Sequence, residues 1–243
     1  MASTPKEIVF LVSGYSLAGA ITSFEFSGET EMLDATTVNN DGYKTKVAGF
    51  KEGTVSVKGL FDSDEADADR IHDVFSAAYA DGSVKYILAS TGTVSVGAIA
   101  NMVEGASMKY ETPVDTGSLI FSNGEFTSNN GVQAGKWLMH ALQASGTNNG
   151  TSVDNSASTA NGGYLQVHLH NDDASDVDVK VQHSTDGSTW ADLTGAAVSN
   201  LSATHTAGSA SVAAGTTVNR YLRAVATVTG GDTILVSVAF ARG

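Results

Sequence analysis

The stretch TTVNNDGYKTKVAGFKEGTVSVKGLFD, residues 36–62, decides how the chain is read. It opens on a polar Asn-Asn-Asp-Gly tip, runs through two short alternating segments, and ends on Asp62, where a helix is expected to begin. Asp41-Gly42 is a turn signal, because glycine reaches the positive φ of a hairpin turn without steric cost. In GTVSVKGLF, residues 53–61, Val55 and Val57 share one face while Thr54, Ser56 and Lys58 share the other. That is the period of a half-buried strand. YKTKVAGF, residues 43–50, reads as a separate strand ahead of it. A long polar tip before a strand-to-helix junction, with no reactive group nearby, suits an arm that touches another copy of the chain.

The helix that follows is DSDEADADRIHDVFSAAYADG, residues 62–82. Carboxylates crowd its first turns, where the positive end of the helix dipole favours them. Asp62 or Ser63 is expected to cap it, with Glu65 completing a capping box. Ile71, Val74, Phe75 and Ala78 fall at i, i+3, i+4 and i+7 and form one apolar stripe. Gly82 stands where a C-terminal cap belongs. The acidic run is thereby explained as a solvated helix start rather than a metal site.

Around this centre the pattern is β. EIVFLV (7–12) reads as a buried strand, and AITSFEFSG (20–28) alternates through Ile21, Phe24 and Phe26. Residues 29–42 are polar and acidic, an extended loop or the far end of a hairpin. VKYILAS (84–90), TVSVGAIANMVEGASMKY (93–110) and GSLIFSNGEF (117–126) are further strands. TSNNGVQAG (127–135) is a turn-rich junction, KWLMHALQA (136–144) a short amphipathic piece, and SGTNNGTSVDNSASTANGG (145–163) a polar surface loop or linker. From residue 164 short strands recur at regular spacing, the mark of a sandwich. Leu165, Val167 and Leu169 take one face of the first, Val177, Val179 and Val181 one face of the second, and the turn STDGSTW (184–190) returns Trp190 to the core. The expected class is mainly β: a sandwich or barrel-forming sheet with one flanking α-helix over residues 1–133, an extended connection over 134–163, and a second all-β sandwich over 164–243.

Composition narrows the function. The 243 residues hold 26 Gly but only 2 Pro, so the turns depend on glycine. Without cysteine there is no disulfide framework, thiolate metal site or cysteine nucleophile. No run of 18 or more apolar residues reads as a membrane span, and the apolar run near the N-terminus is too short for a signal peptide. The net charge of −13 is uneven: residues 1–133 hold 8 Lys+Arg against 18 Asp+Glu, and residues 134–243 hold 5 against 8. Affinity for nucleic acid comes largely from cations that displace counterions, so this chain is a poor clamp. An acidic wall repels phosphate and suits passage instead.

Sharper sites are weighed and set aside. His168 and His170 lie two apart on a strand and point the same way, so with Asp172, Asp178 or His183 they would suit a metal. Leu165, Val167 and Leu169 already claim the core face, which leaves the histidines on the solvent side. NDDASDVD (171–178) lacks the glycine and final glutamate of a calcium loop. GYSLAG (14–19) has Ala18 where a nucleophile elbow needs glycine. No phosphate loop is present, no cofactor is implied, and no enzyme is expected. Tyr164, Trp190 and Tyr221 would make an aromatic platform for a glycan, although aromatics in sandwiches are more often core.

AGFKEGTVSVKGLFDSDEADADRIHDVF, with the later NMVEGASMKYETPVDTGSLIFSNGEF, resembles the major tail tube proteins of long-tailed, non-contractile (siphovirus) bacteriophages. The resemblance spans roughly residues 5–130 and lies in glycines, alternation and element order. The second half, through VQHSTDGSTWADL and RYLRA, resembles a β-sandwich module of phage structural proteins. The resemblance implies subunits that self-assemble into six-fold or pseudo-six-fold rings, stacked around a lumen that DNA traverses without specific binding. The helix would lie outside the sheet, and residues 29–48 would reach the neighbouring ring. Glu29, Glu31, Asp34, Asn39, Asn40, Asp41, Gly42, Tyr43 and Lys44 would form that inter-ring loop. Glu25, Glu52 and Lys58 would be lumen or interface positions, together with Glu29 and Glu31. Implied partners are the chain itself and the tape measure, tail tip and tail terminator proteins, in a virion assembled in the host cytoplasm and without a membrane. Residues 164–243 would be an outer decoration rather than a second, degenerate tube copy, since no second acidic helix follows. A head or capsid decoration protein and a carbohydrate-binding module are the alternatives.

Overall fold

The computed structural model describes residues 8–37, 43–62, 70–92, 94–170, 176–202, 205–230 and 233–243. The expected tip residues Asn39, Asn40, Asp41 and Gly42, the capping residues Ser63 and Glu65, and Asp172 lie outside the described residues.

The first half holds β1 (Ile8–Val12), β2 (Tyr15–Ser16), β3 (Ile21–Asp34), β4 (Lys46–Leu60), helix α1 (Ile71–Asp81), β5 (Val84–Thr91), β6 (Ile99–Glu111) and β7 (Phe121–Ser128). Then come β8 (Gln133–Ala144), β9 (Thr147–Asn149), β10 (Val153–Asp154), β11 (Gly163–Leu169), β12 (Asp176–Ser184), β13 (Ala191–Leu201), β14 (Thr206–Val212), β15 (Tyr221–Thr229) and β16 (Ile234–Arg242). The fold is mainly β with one flanking helix among the described residues, as the periodicity predicts.

Eleven strands share one sheet, in the order β14-β11-β16-β8-β6-β5-β1-β2, with β7, β4 and β3 branching from β6. Five strands make a second sheet, β10-β15-β12-β13, with β9 also paired to β15. Three apolar clusters follow from this layout. In the first half, α1 lays Ile71, Val74, Phe75 and Ala78 over Val55, Val57 and Phe126. Gly59 admits the helix: a Cβ there would stand 2.1 Å from Ile71 Cδ1. In the second half, β8, β11 and β16 face β12 and β15 through Leu138, Leu165, Val167, Val179, Leu222, Val236 and Val238. Between the two, Leu11, Leu88, Ala100 and Met102 meet Trp137, Tyr164, Ala239 and Ala241.

Four expectations need correction. The two alternating segments of residues 43–61 are one 15-residue strand, β4. KWLMHALQA is strand β8, paired with both β6 and β16, and the expected connection over 134–163 also contains β9 and β10. The segment pairs with strands of both halves through backbone hydrogen bonds. The N-cap is Arg70, without a side-chain capping bond, rather than Asp62; Gly82 does close the helix, at φ 59°. Trp190 is partly exposed instead of returning to the core. Among the described residues no helix is long and apolar enough to cross a membrane.

Candidate functional site

β3 and β4 pair from Ile21↔Gly59 outward to Asp34↔Lys46. β7 accompanies β4 only over Thr54–Leu60. From Gly53 to Lys46 the hairpin is therefore a two-stranded ribbon, about 27 Å of strand at ~3.4 Å per residue. Its far end is tied locally. Ala35 N–H donates to Thr45 O at 2.9 Å, and Thr45 N–H to Thr36 Oγ1 at 3.0 Å. Thr36 donates to Asp34 through both its hydroxyl and its N–H, which holds that carboxyl below its ordinary range.

The ribbon carries the expected Glu29, Glu31 and Asp34, with Tyr43 and Lys44 beyond β4, all exposed. It also carries exposed apolar side chains that the sequence reading missed: Met32, Leu33, Val47 and Phe50, the last 86% exposed. The signal in the sequence is that Met32, Leu33, Tyr43, Val47 and Phe50 are bulky groups scattered through an otherwise polar, acidic segment with no apolar stripe to receive them. An exposed apolar cluster of this kind marks an interaction surface in a folded chain.

The sheet made by β3, β4, β7 and β6 has two unlike faces. Phe24, Phe26, Val55, Val57 and Phe126 point to the α1 side. Directly paired residues share a face, so Glu25, Ser56, Glu125 and Lys109 form one row across the opposite side, and Ser23, Lys58, Asn123 and Glu111 form the next. Glu29 and Glu52 face each other further out. Of the five expected lumen or interface positions, Glu25, Glu29, Glu52 and Lys58 thus lie on the face that α1 leaves open. Lys58 Nζ sits 3.9 Å from the Phe121 ring centre, and Lys109 pairs with Glu111 at 2.9 Å, which raises the lysine's pKa. With Glu25, Glu29, Glu52, Glu111 and Glu125 against two lysines, the open face is acidic.

The histidines and Tyr164 are not solvent-side. β11 is buried on both faces. Its Leu165, Val167 and Leu169 fill the sandwich core, while Tyr164, Gln166 and His168 enter the joint between the halves. Gly14 N–H donates to His168 Nδ1 at 3.2 Å, so the neutral ring carries its proton on Nε2. Gln166 Nε2 donates to Val103 O at 3.0 Å, and Tyr164 O–H to Glu104 Oε2 at 2.9 Å. Burial pushes the Tyr164 hydroxyl up and the His168 ring down. Burial, and then His140 and His205, hold His170 down to about 4. Tyr164 is consequently unavailable to a glycan platform. Trp190 and Tyr221 do reach the outside of the second sheet, where Arg223 lies 4.4 Å over the Trp190 ring and Arg220 lies 4.8 Å over the Tyr221 ring. Among the described residues no three His, Asp or Glu side chains converge as a metal site.

No family model matches the chain, and no curated protein does. Solved structures do resemble it in outline. A chain of the virion of a native gene transfer agent particle is 13% identical, covers 55% of this chain and 98% of its own, and has a TM-score of 0.44. A chain from the tail of an empty gene transfer agent particle, refined with helical C6 symmetry, is 16% identical over 54% of this chain and 97% of its own, with a TM-score of 0.44. The SPP1 Dit protein, described as a paradigm of hub adsorption apparatus in phages infecting Gram-positive hosts, is 11% identical over 98% of this chain and all of its own, with a TM-score of 0.37. With TM-scores below 0.5, none of these likenesses bears on what this chain does.

Proposed function

We propose that the chain is a structural virion protein of a bacteriophage tail, and specifically the major tail tube subunit of a long, non-contractile tail. Its work is self-assembly into stacked rings, driven by apolar burial and strand pairing between copies. The observation that carries this reading is the ribbon of β3 and β4, which leaves its sheet and exposes Met32, Leu33, Val47 and Phe50 to water. The sequence resemblance implies an inter-ring arm at the same residues. The acidic face opposite α1 suits the wall of a lumen, since it repels the phosphates of a passing duplex. On this reading the partners are other copies of the chain, the tape measure, the tail tip and the terminator, within a virion assembled in the host cytoplasm.

The test is negative-stain electron microscopy of the purified protein at high concentration. Hollow tubes with a regular axial repeat are expected, and a variant in which residues 36–42 are replaced by a short Gly-Ser linker is expected to stay monomeric. Closed oligomers without an axial repeat, or tubes of that variant indistinguishable from wild type, would overturn the reading.

A further inference from the structure

The chain carries four Asn-Gly pairs, with the asparagine at 123, 130, 149 and 161. At such a pair the backbone can attack its own side chain, because glycine has no Cβ to obstruct the approach of its nitrogen to the preceding Asn Cγ. The glycine N–H decides whether this happens. It must ionise and turn toward the side chain, and a hydrogen bond or a strand ladder opposes both.

Three of the pairs are locked. Gly124 lies in β7 between β4 and β6, opposite Val57 and Tyr110. Gly150 N–H donates to Ala224 O at 2.8 Å, and Gly162 N–H to Thr216 O at 3.2 Å. The fourth pair is set up to react. Asn130 is exposed in the turn between β7 and β8, and Gly131 N–H makes no hydrogen bond among the described residues. Gly131 has φ 75°, outside any ladder. Gln133 Nε2 donates to Asn130 O at 2.8 Å, which polarises the very peptide whose N–H must ionise. Ser128 Oγ accepts from Asn130 N–H at 3.1 Å and stands 3.4 Å from Asn130 Oδ1, so it steadies the residue at both backbone and side chain.

We propose that Asn130 is a site of spontaneous modification, converted to aspartate and isoaspartate through attack of Gly131 N on Asn130 Cγ. The N–Cγ bond forms, the bond from Cγ to the side-chain nitrogen breaks, and ammonia leaves carrying the glycine's proton. Water then opens the five-membered imide at one of its two carbonyls. No oxidant, reductant or second chain takes part. The place gives the reaction a consequence. The turn backs the root of the ribbon, where a Cβ on Gly53 would stand 2.9 Å from Val132 N and 3.0 Å from Gly131 C. It also borders the joint: Asn129 N–H donates to Glu104 O at 2.8 Å, and the Asn130 side chain reaches the Tyr164 hydroxyl. Conversion therefore sets a new carboxylate near that of Glu104, and like charges repel. The isoaspartate product also adds a methylene to the main chain where the ribbon leaves the body.

The test incubates the purified full-length protein in mildly alkaline buffer, native and in urea. Amide-to-acid conversion is followed at each asparagine by tandem mass spectrometry, with fragment ions separating Asn129 from Asn130. In urea all four pairs are expected to convert at similar rates. In the native protein Asn130 should stay close to its urea rate while the other three fall several-fold below theirs. Native Asn130 slowed as much as Asn149, or any other pair converting first, would overturn the proposal. Asn130→Gln, whose longer side chain closes a less favourable ring, should lose the first acidic species that native ion exchange resolves; that species forming at the wild-type rate would also overturn it. Asn130→Asp makes one product directly and should unfold at a lower urea concentration than wild type, whereas an unchanged midpoint would remove the effect on the joint.

Discussion

Lowering the pH from 7 to 4 is expected to weaken the joint between the two halves, and His170 sets the size of the effect. Its Nε2 lies 2.8 Å from Ser237 Oγ, which also accepts from Ala141 N–H at 3.0 Å. Around this centre stand His168 on β11, His140 on β8, and His205, which stacks on Tyr15 at 4.3 Å. Burial holds His170 at about 4, against 6.5 for an ordinary histidine. Between those values the unfolded chain binds more protons than the native one. Stability is therefore complete above pH 6.5, falls as the pH drops, and levels off near 4. At roughly 1.4 kcal/mol per tenfold change in proton affinity, His170 alone contributes about 3 kcal/mol. In a chain of this size that corresponds to a fall of about 6–12 °C in Tm. His168 shifts the same way and adds to it. Asp81 and Asp154, held near 2 by Lys85 and Arg220, lose their stabilising charge only below pH ~4, outside this window. The assay is urea unfolding followed by tryptophan fluorescence at half-unit steps, since Trp137 lies in the joint. His170→Gln should show a flatter profile than wild type. A wild-type stability constant from pH 7 to 4.5, or a variant with the full wild-type slope, would refute the reasoning.

Gly14→Ala should cost more than about 2 kcal/mol, because φ there is 96° and a Cβ would stand 2.3 Å from Leu169 O; urea unfolding measures it. Tyr164→Phe removes the hydroxyl that donates to Glu104, a carboxylate that Ser209 also contacts at 2.9 Å, and should cost about 1–3 kcal/mol by the same assay. A chain ending after residue 133 loses β8 and strips Leu11, Leu88, Ala100 and Met102 of their partners Trp137, Tyr164, Ala239 and Ala241. It should bind a hydrophobic dye and lose sharp near-ultraviolet circular dichroism, whereas a cooperative, dye-free unfolding transition would show that the first half stands alone.

What the sequence discloses depends on how many neighbours a strand has. Val55 and Val57 alternate visibly because β4 has the helix on one side and water on the other. The stripe from Ile71 to Ala78 is legible for the same reason. β8 hides because its two faces feed two different cores, Trp137 entering the joint and Leu138 the sandwich. It is also irregular, with register shifts against β16 and Ala141 at φ 43°. Both features erase the period of two on which strand assignment rests. β11 misleads differently. Gln166, His168 and His170 alternate with leucine and valine as solvent-facing residues would. Yet their partners Gly14, Val103 and Ser237 lie far away in sequence, and no local pattern announces them. The expected lumen or interface positions are legible as residues but not as a face. Only the pairing of Glu25 with Ser56, and of Ser56 with Glu125, shows that they stand together opposite α1.

The joint and the ribbon obey opposite logic, and the contrast separates what holds the subunit together from what it offers outward. In the joint, Trp137 Nε1, Gln166 Oε1 and His168 Nε2 are buried without a partner among the described residues, but Tyr164 donates to Glu104, Gln166 Nε2 to Val103 O, and Gly14 N–H to His168 Nδ1. Burial without such partners would cost several kcal/mol per group, so these residues specify one way of closing the two halves on each other. On the ribbon the pattern reverses. Leu33 faces Val47 across the strands with both exposed, and Glu29 faces Glu52, a like-charge pair that destabilises an isolated hairpin. A two-stranded ribbon is marginal by itself in water. One that also exposes apolar side chains and sets carboxylates opposite each other gains little from standing alone. On the proposed assembly these same features turn favourable, because a second copy that covers the apolar side chains and brings a cation offsets both costs.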